Sequence, residues 1–141
     1  MNDLTPKVIT VITKVNAPLK KVWNFWTIDE HIIKWNNASD DWHTPAAKND
    51  LRKDVRFVFT MAARDGSMSF DFEGVYSEVI EHRMIAYVMA DGRKAKITFE
   101  EQGGQTEIVE SFEAEEENSI DLQRTGWQNI LDNFKKYTES N

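Results

Sequence analysis

The 141-residue sequence contains no cysteine, so disulfide bonds, thiolate nucleophiles and sulfur-ligated metals are excluded. Proline and glycine are scarce, with three and six residues, and nowhere do they form a linker that would divide the chain. No apolar run approaches the roughly 18 residues of a membrane span, and no apolar stretch follows a basic start as in a signal peptide. We therefore expect one cytoplasmic domain over residues 1–141, without a membrane span.

Positive charge is in deficit, with 17 Lys and Arg against 24 Asp and Glu and a formal net charge of −7. Because the basic residues are scattered, no patch could hold a phosphate backbone, and nucleic-acid binding is excluded. Of the histidines His31, His43 and His82, no two have the spacing of metal ligands. Gly103 and Gly104 precede no predicted helix, so no phosphate-binding loop is expected. We expect neither a metal nor another cofactor.

Aromatic residues, in contrast, are abundant, with eight Phe, five Trp and three Tyr. From residue 41 the hydrophobic pattern has a period of two over about seventy residues, which predicts β-strands. Glycine-containing hairpin turns are expected at 64–67, 91–93 and 103–104. Short connections of this kind favour an antiparallel meander. One face of the predicted strands carries large side chains: Phe57, Phe59, Met61, Phe70, Phe72, Tyr76, Tyr87, Met89, Ile97, Phe99, Ile108 and Phe112.

The segments on either side of this meander complete the predicted fold. Residues 7–16 are rich in β-branched side chains, which predicts a first strand. A helix is expected from Pro18, which suits a first helical turn. A second, short helix is expected to be capped by Asp29 and to end after Trp35 at Asn36.

A long amphipathic helix is predicted at the end of the chain, with Asn118 or Ser119 as its cap. Its apolar residues recur at helical spacing and form one stripe: Trp127, Ile130, Leu131, Phe134 and Tyr137. Only this stripe can cover the aromatic face of the sheet. We therefore predict an α+β fold in which a curved antiparallel sheet packs against a C-terminal helix centred on Trp127.

Several stretches of sequence resemble those of a known family. They are APLKKVWNFWT, HIIKWN, DGSMSFDFEGVYSEV, DGRKAKITFEE and RTGWQNILDNF. Together they resemble the Hsp90-ATPase-activator-homologue family of the START-like (SRPBCC, helix-grip) superfamily, over about residues 8–137. The resemblance implies a β-α-α-β6-α helix-grip fold. It also implies a cavity under the C-terminal helix, where other members of the superfamily bind lipids, sterols, polyketides or plant hormones.

One position departs from the family pattern. The resemblance implies a glycine pair after Asp50-Leu51-Arg52, where this chain has Lys53 and Asp54. Either the turn there is built differently or the edge of the next strand shifts.

The aromatic face is the main candidate for a binding site, because an apolar pocket needs large apolar walls. The alternative for each residue is ordinary core packing, since protein interiors are densely filled. The candidate ligand-binding residues of this face and of the helix are Trp35, Phe57, Phe59, Phe70, Phe72, Tyr76, Tyr87, Phe99, Phe112, Trp127 and Leu131.

Two polar residues join these candidates. Glu110 shares parity with Ile108 and Phe112, so either it points into the cavity or its strand carries a bulge. Arg93 is a possible cross-strand partner, and an edge-exposed ion pair is the favoured interpretation. His43 could sit at the cavity rim and donate a hydrogen bond to a ligand, although a satisfied or solvated histidine is the favoured interpretation.

These features favour non-catalytic binding of a small hydrophobic or aromatic molecule of the lipid, polyketide or flavonoid class. The resemblance supplies an alternative, a protein-interaction module whose partner is an Hsp90-type chaperone. A cyclase or hydrolase acting in the cavity is the third possibility. It requires two converging polar groups, and the sequence offers only Glu110 and His43.

Overall fold

The computed structural model describes residues 7–141, and within them the chain forms seven strands and three helices. The predicted β-α-α-β6-α order is confirmed. The elements are β1 Val8–Val15, α1 Leu19–Thr27, α2 Asp29–Trp35, β2 Trp42–Lys48, β3 Arg56–Ala63, β4 Ser69–Ile80, β5 Met84–Met89, β6 Lys94–Gln102, β7 Gln105–Glu113 and α3 Ile120–Ser140.

All seven strands belong to one antiparallel sheet of order β1-β7-β6-β5-β4-β3-β2. Strands β2 to β7 therefore form the expected meander, and β1 returns to pair with β7. The register shifts between His43 and Ala46 in β2 and between Tyr76 and Glu78 in β4. Such irregularities bend a strand and increase its twist. The resulting curved sheet presents its concave face to α3.

Helix α3 is fastened to β1, and to Asn16 just after it, from the middle of the helix to its C-terminal end. The Gln128 side chain donates to the carbonyl of Ile12 at 3.2 Å, and the Lys135 ammonium donates to the carbonyl of Lys14 at 2.6 Å. Near the C-terminus the Glu139 carboxylate accepts the N–H of Asn16 at 2.7 Å. Because three contacts hold the helix against one strand, its apolar stripe is fixed over the sheet.

The ends of the helices differ in part from the prediction. Ser119, one of the two expected caps, begins α3 and accepts the N–H of Leu122 at 3.1 Å. Helix α2 is capped by Ile28 without a side-chain bond, so the predicted capping role of Asp29 is wrong. Asp29 is the first helical residue, and its carboxylate accepts the N–H of Asn49 at 3.0 Å instead. This bond holds the loop after β2 against the second helix.

The turn before β3 settles the departure from the family pattern. Asp54 adopts φ 71°, a left-handed conformation that glycine tolerates best and that Asp also reaches. Its N–H donates to the carbonyl of Tyr76 at 2.7 Å. The turn is thus built with an aspartate in a conformation suited to glycine.

None of the helices within residues 7–141 combines the length and the hydropathy that a bilayer span requires.

Candidate functional site

A cavity of about 220 Å³ lies between the concave face of the sheet and α3. Its walls are mainly apolar and aromatic, which is typical of sites for small molecules. The lining residues are Trp26, Thr27, Trp35, Asn36, Asn49, Leu51, Phe57, Phe59, Met61, Phe70, Phe72, Tyr76, Ile85, Tyr87, Ile97, Glu110, Trp127 and Ile130.

Phe57 is the centre of the sheet side of the cavity. Its ring centroid lies 5.0 Å from that of Phe59, 4.9 Å from Tyr76 and 5.0 Å from Tyr87, edge-on in the last case. The ring approaches this closely because Gly74 on the neighbouring strand has no side chain. A Cβ at Gly74 would lie 3.0 Å from two atoms of the Phe57 ring. Glycine therefore leaves space for the aromatic floor.

Trp127 forms the roof of the cavity on α3. Its indole stacks on the ring of Phe112, with centroids 3.8 Å apart and planes 11° from parallel. It also meets the edge of Phe72 at 6.1 Å. The indole covers the Phe112 ring, so Trp127 lines the cavity and Phe112 does not.

Phe70 forms the part of the wall that meets solvent. Although it shares parity with Phe72, it is 52% exposed and contacts the ring of Trp42 at 5.8 Å. The sequence predicted a residue on the core face. The structure instead places Phe70 at the cavity mouth, because β4 extends beyond the part of the sheet that α3 covers.

Among residues 7–141, Glu110 is the one carboxyl group in the lining, and it is only 6% exposed. It lies on β7 opposite Val11 of β1 and Ile97 of β6. Its side chain makes no hydrogen bond with any residue in 7–141. Burial raises the pKa of Glu110 to about 8, because the charged form loses its hydration in apolar surroundings. The carboxyl group is therefore mostly protonated at neutral pH.

The favoured interpretation of Glu110 as half of an edge-exposed pair with Arg93 is wrong. The Arg93 guanidinium donates to Asp91 at 2.7 Å and to the carbonyl of Glu113 at 3.2 Å. Glu110 instead points inward with its strand neighbours Ile108 and Phe112, as strict alternation requires.

Two tyrosines bring hydroxyl groups to the same cavity. The Tyr76 hydroxyl donates to the side-chain carbonyl of Asn49, and the Asn49 amide donates to the carbonyl of Thr27 at 2.7 Å. Burial raises the pKa of both Tyr76 and Tyr87, and the nearby Glu110 carboxyl raises that of Tyr87 further. Both phenols are therefore neutral across the physiological range.

The structure gathers most of the candidate residues around one cavity. Those that line it are Trp35, Phe57, Phe59, Phe70, Phe72, Tyr76, Tyr87, Glu110 and Trp127.

The remaining candidates lie elsewhere. His43, a candidate for the rim, is on β2 opposite Ala62 and outside the lining. Phe99 packs edge-on against Trp23 at 5.2 Å. Leu131 and Phe112 are almost fully buried in the core behind the wall. For Phe99, Phe112 and Leu131, ordinary core packing is the observed outcome.

Sequence reasoning also left out several lining residues. The sequence pattern indicated some of them: Met61 and Ile97 lie on the same face of their strands as the aromatic residues, and Ile130 belongs to the apolar stripe of the last helix. No pattern indicated Asn49 and Leu51, since they occupy a loop without periodicity. The remaining additions are Trp26, Thr27, Asn36 and Ile85.

No cluster of three or more His, Asp or Glu side chains suited to a metal ion occurs in the described part of the chain. His31 lies outside the cavity. Its Nδ1 is 2.8 Å from the Tyr137 hydroxyl, and its ring stacks on Phe25 at 4.0 Å. This histidine therefore joins α2 to α3.

Comparison with known families identifies the family of this chain. The profile of the family described as Activator of Hsp90 ATPase homolog 1-like protein matches residues 16–139. The chain belongs to this family. The matched segment extends from before α1 into the last turn of α3, and so it includes every residue that lines the cavity. The comparison with curated proteins finds no match.

Solved structures of bacterial proteins extend this result. The AHSA1-like protein from Aeromonas hydrophila is 39% identical, with a TM-score of 0.90 over 95% of this chain and 93% of that chain. Chr148 from Cytophaga hutchinsonii is 53% identical, with a TM-score of 0.82 over 94% and 92%. CV1439 from Chromobacterium violaceum is 18% identical, with a TM-score of 0.84 over 95% and 99%, and shows the same fold alone. The expected helix-grip fold is confirmed.

Proposed function

We propose that the protein binds a small hydrophobic or aromatic molecule between the sheet and α3, without catalysing a reaction. The cavity of about 220 Å³ carries this proposal. Ligand sites commonly measure about 300–1,000 Å³, whereas a dry cavity of about 150 Å³ already accepts benzene. A guest of one or two aromatic rings is therefore the best match in size.

The chemistry of the walls supports an apolar guest. Rings of Phe57, Phe72 and Trp127 surround the space, and water inside would find few hydrogen-bonding partners. Burying apolar surface contributes about 25 cal/mol per Å². Since the surrounding strands and α3 hold these rings in place before binding, little ordering opposes that gain.

A cavity-filling substitution tests the proposal. Naphthalene is titrated into the protein by NMR, with Ile130→Trp as the variant and Leu122→Trp as the matched control. Both residues lie on α3, but Ile130 lines the cavity whereas Leu122 is 60% exposed. We expect shifts around Trp127 in the wild type and the control, and their loss in Ile130→Trp. Equal binding by both variants, or no shift at all, would contradict the proposal.

A catalytic role finds less support in the lining. Hydrolysis or cyclisation by acid–base chemistry requires two converging groups. Of the residues that the structure describes, Glu110 is the only one that brings a carboxyl group to the cavity, and His43 is not part of the wall.

The family supplies a second candidate, contact with an Hsp90-type chaperone. Met68 and Phe70 support it, because they are 64% and 52% exposed at the β3–β4 hairpin, and exposed apolar groups mark interaction sites when they cluster. Purified protein is tested for binding to an Hsp90-type chaperone and for a change in its ATPase rate. The double substitution M68S/F70S is expected to weaken both. Absence of binding by the wild-type protein would exclude this candidate.

A further inference from the structure

We infer that Glu110, in its neutral acid form, donates a hydrogen bond to an acceptor atom of the bound molecule. The ligand is then an uncharged aromatic compound that carries a carbonyl or similar acceptor. This inference rests on the proposed function and adds the polar half of the recognition. It starts from the position of a buried acid that faces the cavity.

The other hydroxyl and amide side chains that line the cavity are already engaged in hydrogen bonds, with one exception. The Thr27 hydroxyl donates to the Trp23 carbonyl at 2.8 Å. The Asn36 amide donates to the sulfur of Met61 at 3.3 Å.

The Asn49 amide and the Tyr76 hydroxyl satisfy each other and the carbonyl of Thr27. The indole N–H groups of Trp26 and Trp127 make no hydrogen bond with residues 7–141. Among the carboxyl, hydroxyl and amide groups of the lining, only Glu110 and Tyr87 make none with these residues. Buried polar groups are normally paired, so these two have bonding capacity left for a ligand.

Among residues 7–141, no Lys, Arg or His side chain lines the cavity beside Glu110. The charge of Arg93 acts on Tyr87, but its guanidinium is bonded to Asp91 and to the carbonyl of Glu113. Opposite Glu110 on β1 and β6 stand Val11 and Ile97. Tyr87 of β5 and Tyr76 of β4 are the other titratable groups in the lining, and both stay neutral at physiological pH.

The helices bring only uncharged side chains to the cavity wall: Trp127 and Ile130 from α3, Trp26 from α1 and Trp35 from α2 are among them. Because no cation and no hydrogen bond from the described residues stabilises its carboxylate, Glu110 keeps its proton at neutral pH.

A protonated carboxyl group has one O–H to donate. A carbonyl oxygen of the guest accepts from that donor. An ammonium guest fits less well, since its three N–H groups would find only Glu110 and Tyr87 as free acceptors. It would also bring a charge into an apolar space, which is costly unless every bond is made.

Three probes of similar shape test the inference at pH 6: naphthalene, 2-acetonaphthone and 2-naphthylmethylamine. Binding is followed by NMR to the wild type, E110Q and E110L. We expect the wild type to bind the ketone about threefold to tenfold more tightly than naphthalene, as one net hydrogen bond provides. E110L is expected to lose this preference. E110Q is expected to keep it, because the Gln amide also donates.

A pH series separates the acid from a structural role. Between pH 6 and pH 10 the preference of the wild type for the ketone is expected to disappear, since the ionised carboxyl group no longer donates. E110Q is expected to show no such change, and it remains informative should E110L fail to fold.

Each other result has a distinct meaning. Equal binding of ketone and naphthalene by the wild type overturns the inference and leaves the proposed function standing. Tightest binding of the amine, increasing above pH 8, overturns it in favour of a cation site. Failure of all three probes overturns the proposed function and this inference with it.

Discussion

The two halves of α3 cover the sheet in different ways. Near its C-terminal end, Phe134 is fully buried and meets the rings of Trp26 and Trp35 at 4.8 and 4.9 Å. Near its N-terminal end, Trp127 stacks on Phe112 and meets Phe72 only at its edge, 6.1 Å away. One half of the helix thus packs on a filled core, and the other half covers a cavity.

The difference comes from a third layer. Helices α1 and α2 bring Trp26 and Trp35 between the sheet and the second half of α3, and these indoles also form one wall of the cavity. In the described part of the chain no helix lies between Trp127 and the sheet, and its indole stacks directly on Phe112. A curved sheet and a straight helix separate where nothing fills the gap, and aromatic side chains alone do not close it.

Loss of a ring from the filled half is the largest expected effect. Phe134→Ala is expected to lower the free energy of unfolding by about 3–5 kcal/mol, because it leaves a void among rigid rings. Denaturant unfolding measures the change.

Trp127→Ala is the counterpart in the half of α3 that covers the cavity. We expect it to cost roughly half as much, since the indole already borders empty space. Equal costs would show that the two halves are packed alike.

The second largest expected effect is a pH dependence of stability, which arises from Glu110 in the cavity under the N-terminal half of α3. Burial raises the pKa of Glu110 from 4.5 to about 8. Between these values the unfolded chain releases the proton and the folded protein keeps it. The contribution to stability is therefore complete below pH 4.5 and is lost as the pH rises to 8, with a slope of at most about 1.4 kcal/mol per pH unit.

Glu110→Gln removes this titration while other carboxyl groups remain. The difference in unfolding free energy between the wild type and Glu110→Gln is expected to change by roughly 4 kcal/mol across that window, with the wild type losing stability. A difference that does not vary with pH would mean that water in the cavity solvates the carboxylate.

The smallest expected effect concerns the floor of the cavity. Gly74→Ala places a Cβ 2.6 Å from the carbonyl oxygen of Val88 and 3.0 Å from the Phe57 ring. We expect a loss of about 1–3 kcal/mol from overpacking, with weaker naphthalene binding as Phe57 is displaced. Gly126→Ala is the matched control, because nothing lies within 4 Å of its added Cβ on α3. In a helix this change is expected to stabilise by about 0.5–1 kcal/mol. Thermal unfolding of both variants checks the opposite signs.

Alternation and helical spacing were sufficient to predict the fold. They placed Phe57, Phe72 and Tyr87 on the concave face and Trp127 on the covering helix, and the structure confirms that arrangement. Parity also placed Glu110 among inward residues. The prediction that Glu110 pairs with Arg93 was wrong. The direction of the Arg93 side chain depends on the conformation of its turn, and it donates to Asp91 in the same turn.

Which inward residues border empty space was beyond prediction from periodicity. Phe112 and Phe72 occupy equivalent positions in their patterns, yet Phe112 lies under an indole and Phe72 lies at the cavity. That outcome depends on how far the sheet curves and where α1 and α2 end. Asn49 illustrates the other limit: it reaches the cavity from a loop, held by bonds to Asp29 and Thr27 that no local pattern indicates.

The position of β1 at one edge of the sheet has a consequence for the order of folding. Its only partner strand, β7, follows roughly 100 residues later in the chain, and pairing across so long a separation is slow. During synthesis β1 leaves the ribosome before the other described strands of this sheet, but it finds its place only after β7 has formed and α3 can lie across both. Until then its apolar face, including Ile9 and Val11, is uncovered. The first of the seven described strands is thus expected to be among the last to join the sheet, and a nascent chain that stalls before β7 is expected to be the form most prone to aggregate.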